Sequence, residues 1–344
     1  MSVLQVNNIT DTGGSTLLGR KNAIINGNFD VWQRGSGAFV SSGYTSDRWY
    51  ILRGGSTTLS TTRQTFALGQ TDVPYNPKYY LEASPTTGGL ASSFLYISQA
   101  IEGVSSFAGE TVTLSFYAKA DASKNIAVEF VQSFGSGGSP STVVTGISVT
   151  TVALTAAWVK YTVTADIPSI TGKTLGTDGN DSLAFAIWLE AGSDYNARTN
   201  SLGNQSGTFE FAQVQLEAGS VATPFERRSY GEELALCQRY YQKYTGDMYY
   251  NAHRGLDNTY DGHVYIATFV YQTPMRATPS INVTRYGWLA NQSVWTASSS
   301  AFAIGDATSN SFGMRGVWSW TGSESTANTT TAIRLENLAL DAEL

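Results

Sequence analysis

The sequence predicts an all-β protein: an N-terminal arm, a β-sandwich, one short α-helix and a C-terminal β-sandwich. Three observations carry that expectation. Apolar residues recur with period two in segment after segment, the mark of strands buried on one face. Gly-, Ser-, Asp- and Asn-rich stretches separate those segments, as turns require. The 344-residue chain is also poor in charge and rich in β-favouring side chains, with 14% Asp, Glu, Lys and Arg beside 34 Gly, 19 Tyr, 15 Phe and 8 Trp. An average soluble chain is about 25% charged. A hydrophobic content of 42% is enough to bury large cores.

Residues 1–20 are polar and hold the turn-like Asp11-Thr12-Gly13-Gly14-Ser15. They read as an arm too small to bury a core of its own, so Val3, Leu4, Val6 and Ile9 need a partner surface. From 21 to 225 the pattern is β throughout. In Thr111–Ala120, Val112, Leu114, Phe116 and Ala118 share one face. Ile126, Val128 and Phe130 alternate with small or polar residues, as do Val159, Tyr161, Val163 and Ala165, and then Leu183, Phe185, Ile187 and Leu189. Strand after strand without helices predicts two packed antiparallel sheets. In Phe209–Leu216 the apolar parity slips by one residue near Ala212-Gln213, which predicts a β-bulge.

The first helix is predicted to start near Ser229, whose hydroxyl stands three residues before Glu232 in capping-box spacing. Glu233 in the first turn and Lys243 in the last suit the helix dipole, and Gly246 suits its end. Leu234, Cys237, Tyr241 and Tyr244 would form one stripe along it, with Leu236 and Tyr240 beside them. Two stripes exceed what one sheet face covers, so residues 226–248 are expected to be a helical segment that also joins sister chains. Residues 249–344 return to β: Val264, Ile266, Thr268 and Val270 alternate with Tyr265, Ala267, Phe269 and Tyr271, and a second parity slip falls between Leu335 and Leu338.

The net charge is -6 and no Lys/Arg run occurs, which argues against nucleic-acid binding. No run of 18 apolar residues predicts a membrane helix, and the N-terminus lacks the pattern of a signal peptide, so synthesis in a cytoplasm is expected. Cys237 is the single cysteine, which excludes an intrachain disulfide and a cysteine-based zinc site. His253 and His263, with Asp257 and Asp261 between them, match no metal spacing, and Tyr-Asp-Gly turns explain Asp261 as well. No phosphate-binding loop or nucleophile elbow is present. The reading is therefore of a protein without metal, cofactor or catalytic residues.

The remaining chemistry is aromatic. The apolar C–H faces of sugars stack on Trp and Tyr, and sugar hydroxyls pair with Ser, Thr, Asn, Gln and backbone groups. Trp188 projects opposite Leu183, Phe185, Ile187 and Leu189, flanked by Ala184 and Ala186; its ring is a platform unless a loop or a neighbouring chain covers it. Tyr286, Trp288, Trp295 and Trp318 belong to an aromatic group too large for a core of about 95 residues, so exposed rings are expected there.

Four strings carry a family resemblance: Lys21-Asn22-Ala23-Ile24-Ile25-Asn26-Gly27-Asn28-Phe29-Asp30, Thr111–Ala120, Ala157-Trp158-Val159-Lys160-Tyr161-Thr162-Val163-Thr164, and Phe209–Glu217. In order and spacing they resemble the carbohydrate-binding-module jelly roll appended to xylanases and endoglucanases. That family often carries a calcium-holding Asp pair on its last strand, where this chain has Ala212-Gln213. The string Val3–Gly14 is similar to the start of tailed-phage fibre proteins, notably those of cyanophages. Phe211–Gly219, Pro224-Phe225-Glu226-Arg227-Arg228, Cys237-Gln238-Arg239-Tyr240-Tyr241, Pro274-Met275-Arg276 with Pro279 three residues on, and Leu340–Leu344 are similar to phage tail and fibre proteins. The resemblance implies a homotrimeric virion fibre or receptor-binding protein. Its arm would meet other virion proteins, and its distal domain would meet host-surface polysaccharide or lipopolysaccharide. The alternative is a head-fibre, decoration or tail protein that binds no glycan. A tailspike depolymerase commonly needs a long β-helix, and no short repeat is present.

Overall fold

The computed structural model describes residues 21–254, 262–290, 293–296, 302–305, 307–319 and 331–344, and side chains at 21–245, 269–282, 307–311 and 337–344. The arm residues Val3, Leu4, Val6 and Ile9 lie outside the described residues. The chain divides into two compact units, one running to Glu233 and the other from Leu234 to Glu343.

The first unit contains β1 (Gly43–Tyr44), β2 (Tyr50–Gly54), β3 (Thr58–Thr65), β4 (Tyr79–Thr86), β5 (Phe94–Glu102) and β6 (Thr111–Ala120). These are followed by β7 (Lys124–Ser133), β8 (Val144–Leu154), β9 (Val159–Asp166), β10 (Ser182–Ala191), the single turn α1 (Asn196–Thr199) and β11 (Phe209–Ala218). They form a six-stranded sheet, β1-β2-β5-β10-β7-β8, and a five-stranded sheet, β3-β4-β11-β6-β9. Every described pairing is antiparallel. The alternating apolar residues of both sheets meet in one core, in which Leu114, Phe116, Phe130, Phe185 and Phe211 are fully buried. The strand predicted at Thr111–Ala120 is β6, with the same bounds.

The parity slip in β11 is a bulge. Ala212 pairs with Tyr117 and Gln215 with Ser115, so two residues of β11 oppose one of β6. Gln213 absorbs the extra residue in the left-handed region, with φ 50°. Pairing with β4 covers only Phe209–Phe211 and stops at the bulge. The edge so released is taken by the segment after residue 21: Ala23 N–H donates to Leu216 O at 2.9 Å, and Val214 N–H donates to Gly27 O at 2.8 Å. Asn22 Oδ1 accepts from Leu216 N–H at 3.1 Å. Backbone groups that the bulge would orphan are thereby paired.

After the sandwich α2 covers Tyr230–Gln238, and Glu232 N–H donates to the Ser229 hydroxyl at 3.3 Å, as the capping spacing predicts. The helix is shorter than expected. The next residues form β12 (Tyr241–Arg254), so Tyr241, Lys243, Tyr244 and Gly246 are strand residues. The expected stripe of Leu234, Cys237, Tyr241 and Tyr244 does not exist as one helical face. Aromatic side chains favour the sheet, and the ladder from Tyr241↔Asp341 to Tyr244↔Leu338 outweighs a weak helical periodicity.

The remaining strands are β13 (Gly262–Val270), β14 (Ser280–Ala290), β15 (Ser293–Thr296), β16 (Phe302–Gly305), β17 (Ser311–Ser319) and β18 (Thr331–Asp341). With β12 they make one seven-stranded order, β15-β14-β18-β12-β13-β17-β16, rather than two separate sheets. Its halves are joined by His253↔Ile266 and Arg254↔Tyr265. Near the second parity slip the ladder also shifts, but the extra residue belongs to β12: Tyr244 pairs with Leu338 and Asp247 with Glu336, so Thr245 and Gly246 oppose the single Asn337, which has φ 53°.

Gly27 tests the docking of the first segment against β11. A Cβ there would overlap the Val214 carbonyl oxygen, whereas one at Gly37 would meet nothing within 4 Å. Gly27→Ala is expected to lose about 1–3 kcal/mol of stability through overpacking, and Gly37→Ala close to none, as read by urea unfolding.

Candidate functional site: a polar, aromatic cleft beside the β11 bulge

Two aromatic clusters of the first unit differ in what covers them. The first surrounds Trp188, which is 0% exposed, so the expected open platform is not there. Its Nε1 donates to Glu129 Oε1 at 3.0 Å. Arg198, from α1, lays its guanidinium 5.0 Å from the ring centroid. It also donates to both carboxylate oxygens of Glu129, at 2.5 and 3.1 Å. Gly146 N–H supplies a further bond to Glu129 Oε2 at 2.7 Å. Phe94, Tyr96 and Tyr195 pack against the indole. The small Ala127 and Ala186 leave room for the ring, and α1 with its flanking turn closes over it. A buried carboxylate with all its partners in place makes this a structural knot.

The second cluster lines a cleft of about 710 Å3 formed by the segment 28–33, the β3–β4 hairpin, the β11 bulge and residues 227–230. Trp32, Tyr75, Tyr79 and Tyr230 supply rings, and Tyr75 is 50% exposed. The backbone is bent to bring these groups together. Phe29, Tyr75, Asn76 and Gln213 all have positive φ, at 55°, 67°, 49° and 50°. Such conformations cost on the order of 1–3 kcal/mol each and persist only where the surroundings enforce them.

Asn26 is one of those surroundings. It is fully buried, with φ 57°. Its side chain donates to Val31 O at 2.8 Å and Asp47 O at 3.1 Å, and accepts from Val31 N–H at 3.0 Å. The turn carrying Asn28 and Asp30 is thus fixed from beneath. Arg228 holds the same segment by donating to Ile24 O at 2.8 Å and to Asn22 O. Glu233 Oε1 accepts from Asn26 N–H at 2.6 Å and from Arg228 at 3.3 Å.

Within the cleft, Asn28 Nδ2 donates to Asp30 Oδ2 at 2.8 Å, which fixes the amide and leaves Asn28 Oδ1 buried without a partner. Gln213 behaves likewise. Its Nε2 donates to Pro74 O at 2.6 Å, while its Oε1, on a side chain only 3% exposed, has no partner. Burial raises the Asp30 carboxyl above its ordinary pKa, against the lowering effects of Asn28, Lys78 and Arg227. Burial raises Glu233 as well. Arg63 and Lys78 lie over the Tyr79 ring at 4.3 and 4.8 Å, and Arg227 lies over Tyr75 at 5.7 Å.

The other sequence candidates fall elsewhere. Trp288 pairs with Trp295 across β14 and β15. Tyr286 pairs with Leu335, and Trp318 with His263. Their side chains lie outside the described residues. Cys237 is fully buried, Tyr241 is 8% exposed, and Leu234 and Tyr244 are partly exposed. Among the described residues no group of three or more His, Cys, Asp or Glu could hold a metal ion. Sequence reasoning did not single out the cleft residues. Three quoted strings nevertheless converge on it, from Lys21–Asp30, Phe209–Glu217 and Pro224–Arg228.

The architecture defines a class: an all-β protein whose first unit is a two-sheet sandwich with a lined cleft. No protein family matches the chain, and no curated protein matches it. Solved structures similar to the chain include carbohydrate-binding modules and a phage domain. A CBM4 module is 21% identical, covering 56% of this chain and 98% of its own, with a TM-score of 0.31. A family 11 carbohydrate-binding module from Clostridium thermocellum is 12% identical, covering 55% and 99%, with a TM-score of 0.32. The enzymatically active domain of tailspike protein 4 from bacteriophage CBA120 is 11% identical, covering 58% of this chain and 21% of its own, with a TM-score of 0.31. Similarity at that level assigns no function; the sandwich rests on its own strand pairing.

Two measurements test these descriptions. Glu129→Ala strips the partner from the Trp188 indole and Arg198, so it is expected to destabilise the first unit by about 3 kcal/mol in urea unfolding, with a change in Trp fluorescence. Asp30 binds its proton more tightly in the folded chain than in the unfolded one. Its contribution to stability is therefore greatest below the ordinary carboxylate range and falls as pH rises through the folded value. Asp30→Asn is expected to match or exceed the parent's melting temperature at about pH 7, and to gain less than the parent does on acidification towards about pH 4.

Proposed function

We propose that this chain is a virion fibre protein of a tailed phage, homotrimeric and held to other virion proteins by residues 1–20, that binds host-surface glycan without chemical turnover. The observation that carries the binding half is the cleft beside the bulge. It presents rings for sugar C–H faces, and it presents buried amide oxygens that lack donors and suit sugar hydroxyls. The virion half is supported by the ordered resemblance to phage fibre proteins along the chain. In this reading Tyr286, Trp288, Trp295 and Trp318 are further glycan contacts. Three copies on one particle convert weak single-site binding into firm adsorption.

A glycan array probed with the full-length protein is expected to show selective binding to bacterial surface saccharides. Tyr75→Ala is expected to weaken that binding by about tenfold, the loss of one stacking contact. Retained binding in Tyr75→Ala would move the site away from the cleft. Analytical ultracentrifugation is expected to give three times the 37.0 kDa chain mass; a monomer at micromolar concentration would remove the trimer.

A further inference from the structure

The charge of the cleft runs against the charge of the chain. The protein carries a net charge of -6, yet four cations, Arg63, Lys78, Arg227 and Arg228, line the cleft against the single carboxylate of Asp30. Arg228 is occupied with Asn22, Ile24, Glu226 and Glu233. The other three are not. Arg63 and Lys78 share the Tyr79 ring, Arg227 sits over Tyr75, and none of the three makes an ion pair among the described residues. Lys78 and Arg227 lie close enough to act electrostatically on Asp30, and Arg63 lines the same cleft.

A second, independent feature points to a ligand. Gln213 is 3% exposed and lines the cleft with an unpartnered Oε1, whose orientation is set by the bond from its Nε2 to Pro74 O. Asn28 Oδ1 is a second buried acceptor without a donor. Leaving such an acceptor unsatisfied costs about 1–3 kcal/mol, so a bound group that supplies O–H donors there is favoured. Acceptors alone would suit any neutral sugar, and cations alone would suit any anion.

From the two together we infer that the cleft takes an anionic sugar unit, one bearing a carboxylate or a phosphate, with its acid group toward Arg63, Lys78 and Arg227 and its hydroxyls toward Gln213 and Asn28. The guanidinium groups of Arg63 and Arg227 offer paired N–H donors that match either acid. The tyrosines already bearing these cations supply the apolar wall for the ring face. The inference rests on the glycan-binding reading and narrows its ligand.

The test is isothermal titration of the full-length protein with four probes: a galacturonate oligosaccharide, a hexose phosphate, a neutral xylo-oligosaccharide and inorganic phosphate. The expected result is that one of the two acid sugars binds at least tenfold more tightly than the neutral probe and than inorganic phosphate. Raising NaCl from about 50 mM to about 500 mM is expected to erase most of that preference. Arg63→Gln and Arg227→Gln are each expected to weaken the acid-sugar binding by fivefold or more and the neutral-sugar binding by clearly less, so that the preference for the acid sugar shrinks, with folding checked by the melting temperature. Gln213→Leu, which keeps volume and removes the acceptor, is expected to weaken the sugars without altering inorganic phosphate.

Neutral sugar bound as tightly as the acids, with no effect of the arginine variants, would overturn the charge assignment and leave glycan binding standing. Inorganic phosphate bound as tightly as the acid sugars would overturn the sugar assignment. No saccharide bound at millimolar concentration would overturn this inference and the glycan-binding reading in the cleft together.

Discussion

The first unit depends on one irregularity, the extra residue in β11. A regular ladder would have carried β4 along the whole of β11 and left the segment after residue 21 without a place. With Gln213 in the left-handed region, the β4 pairing ends at Phe211 and a short stretch of unpaired edge opens. Backbone groups on such an edge need partners. Ala23 and Gly27 provide them, and Asn22 adds a side-chain acceptor. The cleft follows from that repair. The docked segment must turn away from the sheet at Asn26–Asp30, and the bulged Gln213 lines the space left beside the turn. Strain in the backbone and the amide oxygens without donors occur at the same place because both descend from the same extra residue.

Two uses of aromatic residues stand side by side on the sandwich. Around Trp188 every polar atom of Glu129 is matched, and the indole is sealed by Arg198 and three further rings. That arrangement lowers the freedom of a sheet face and leaves nothing for a ligand to add. Around Tyr75 and Tyr79 the rings carry cations that make no ion pair among the described residues, and the nearby amides are half satisfied. A fully matched cluster stabilises the fold, and an incompletely matched one is available for recognition. Trp188 alone could not announce which kind it belonged to, because Glu129 and Arg198 are 59 and 69 residues apart from their partners in sequence.

Local regularities were legible in the sequence and distant ones were not. Period two marked β6, β7, β9 and β10, since a strand buried on one face must alternate. The slip at Ala212-Gln213 marked the bulge for the same reason. The helix from Ser229 was legible at its start, where the Ser229 cap is a local contact, and misleading at its end. There Tyr241 and Tyr244 fit a helical stripe and a strand equally well, and only the pairing with β18 decides between them. The cleft draws on residues from Asn28 to Tyr230, and its polarity comes from which amide atoms remain without partners. Periodicity carries no such information.

The bonds that hold the first segment also set where the chain crosses the boundary of its sandwich. Lys21 and Asn22 donate their backbone N–H groups to the Glu226 carboxylate at 2.6 and 2.8 Å. The polypeptide therefore comes into the sandwich and goes out of it at neighbouring points on one edge. A body with adjacent ends can be spliced into a longer polypeptide as a side branch, or exchanged between host proteins, without stretching what lies on either side. Recombination acting on such a cassette would exchange the sandwich with its cleft as one piece while the flanking architecture stays as it was.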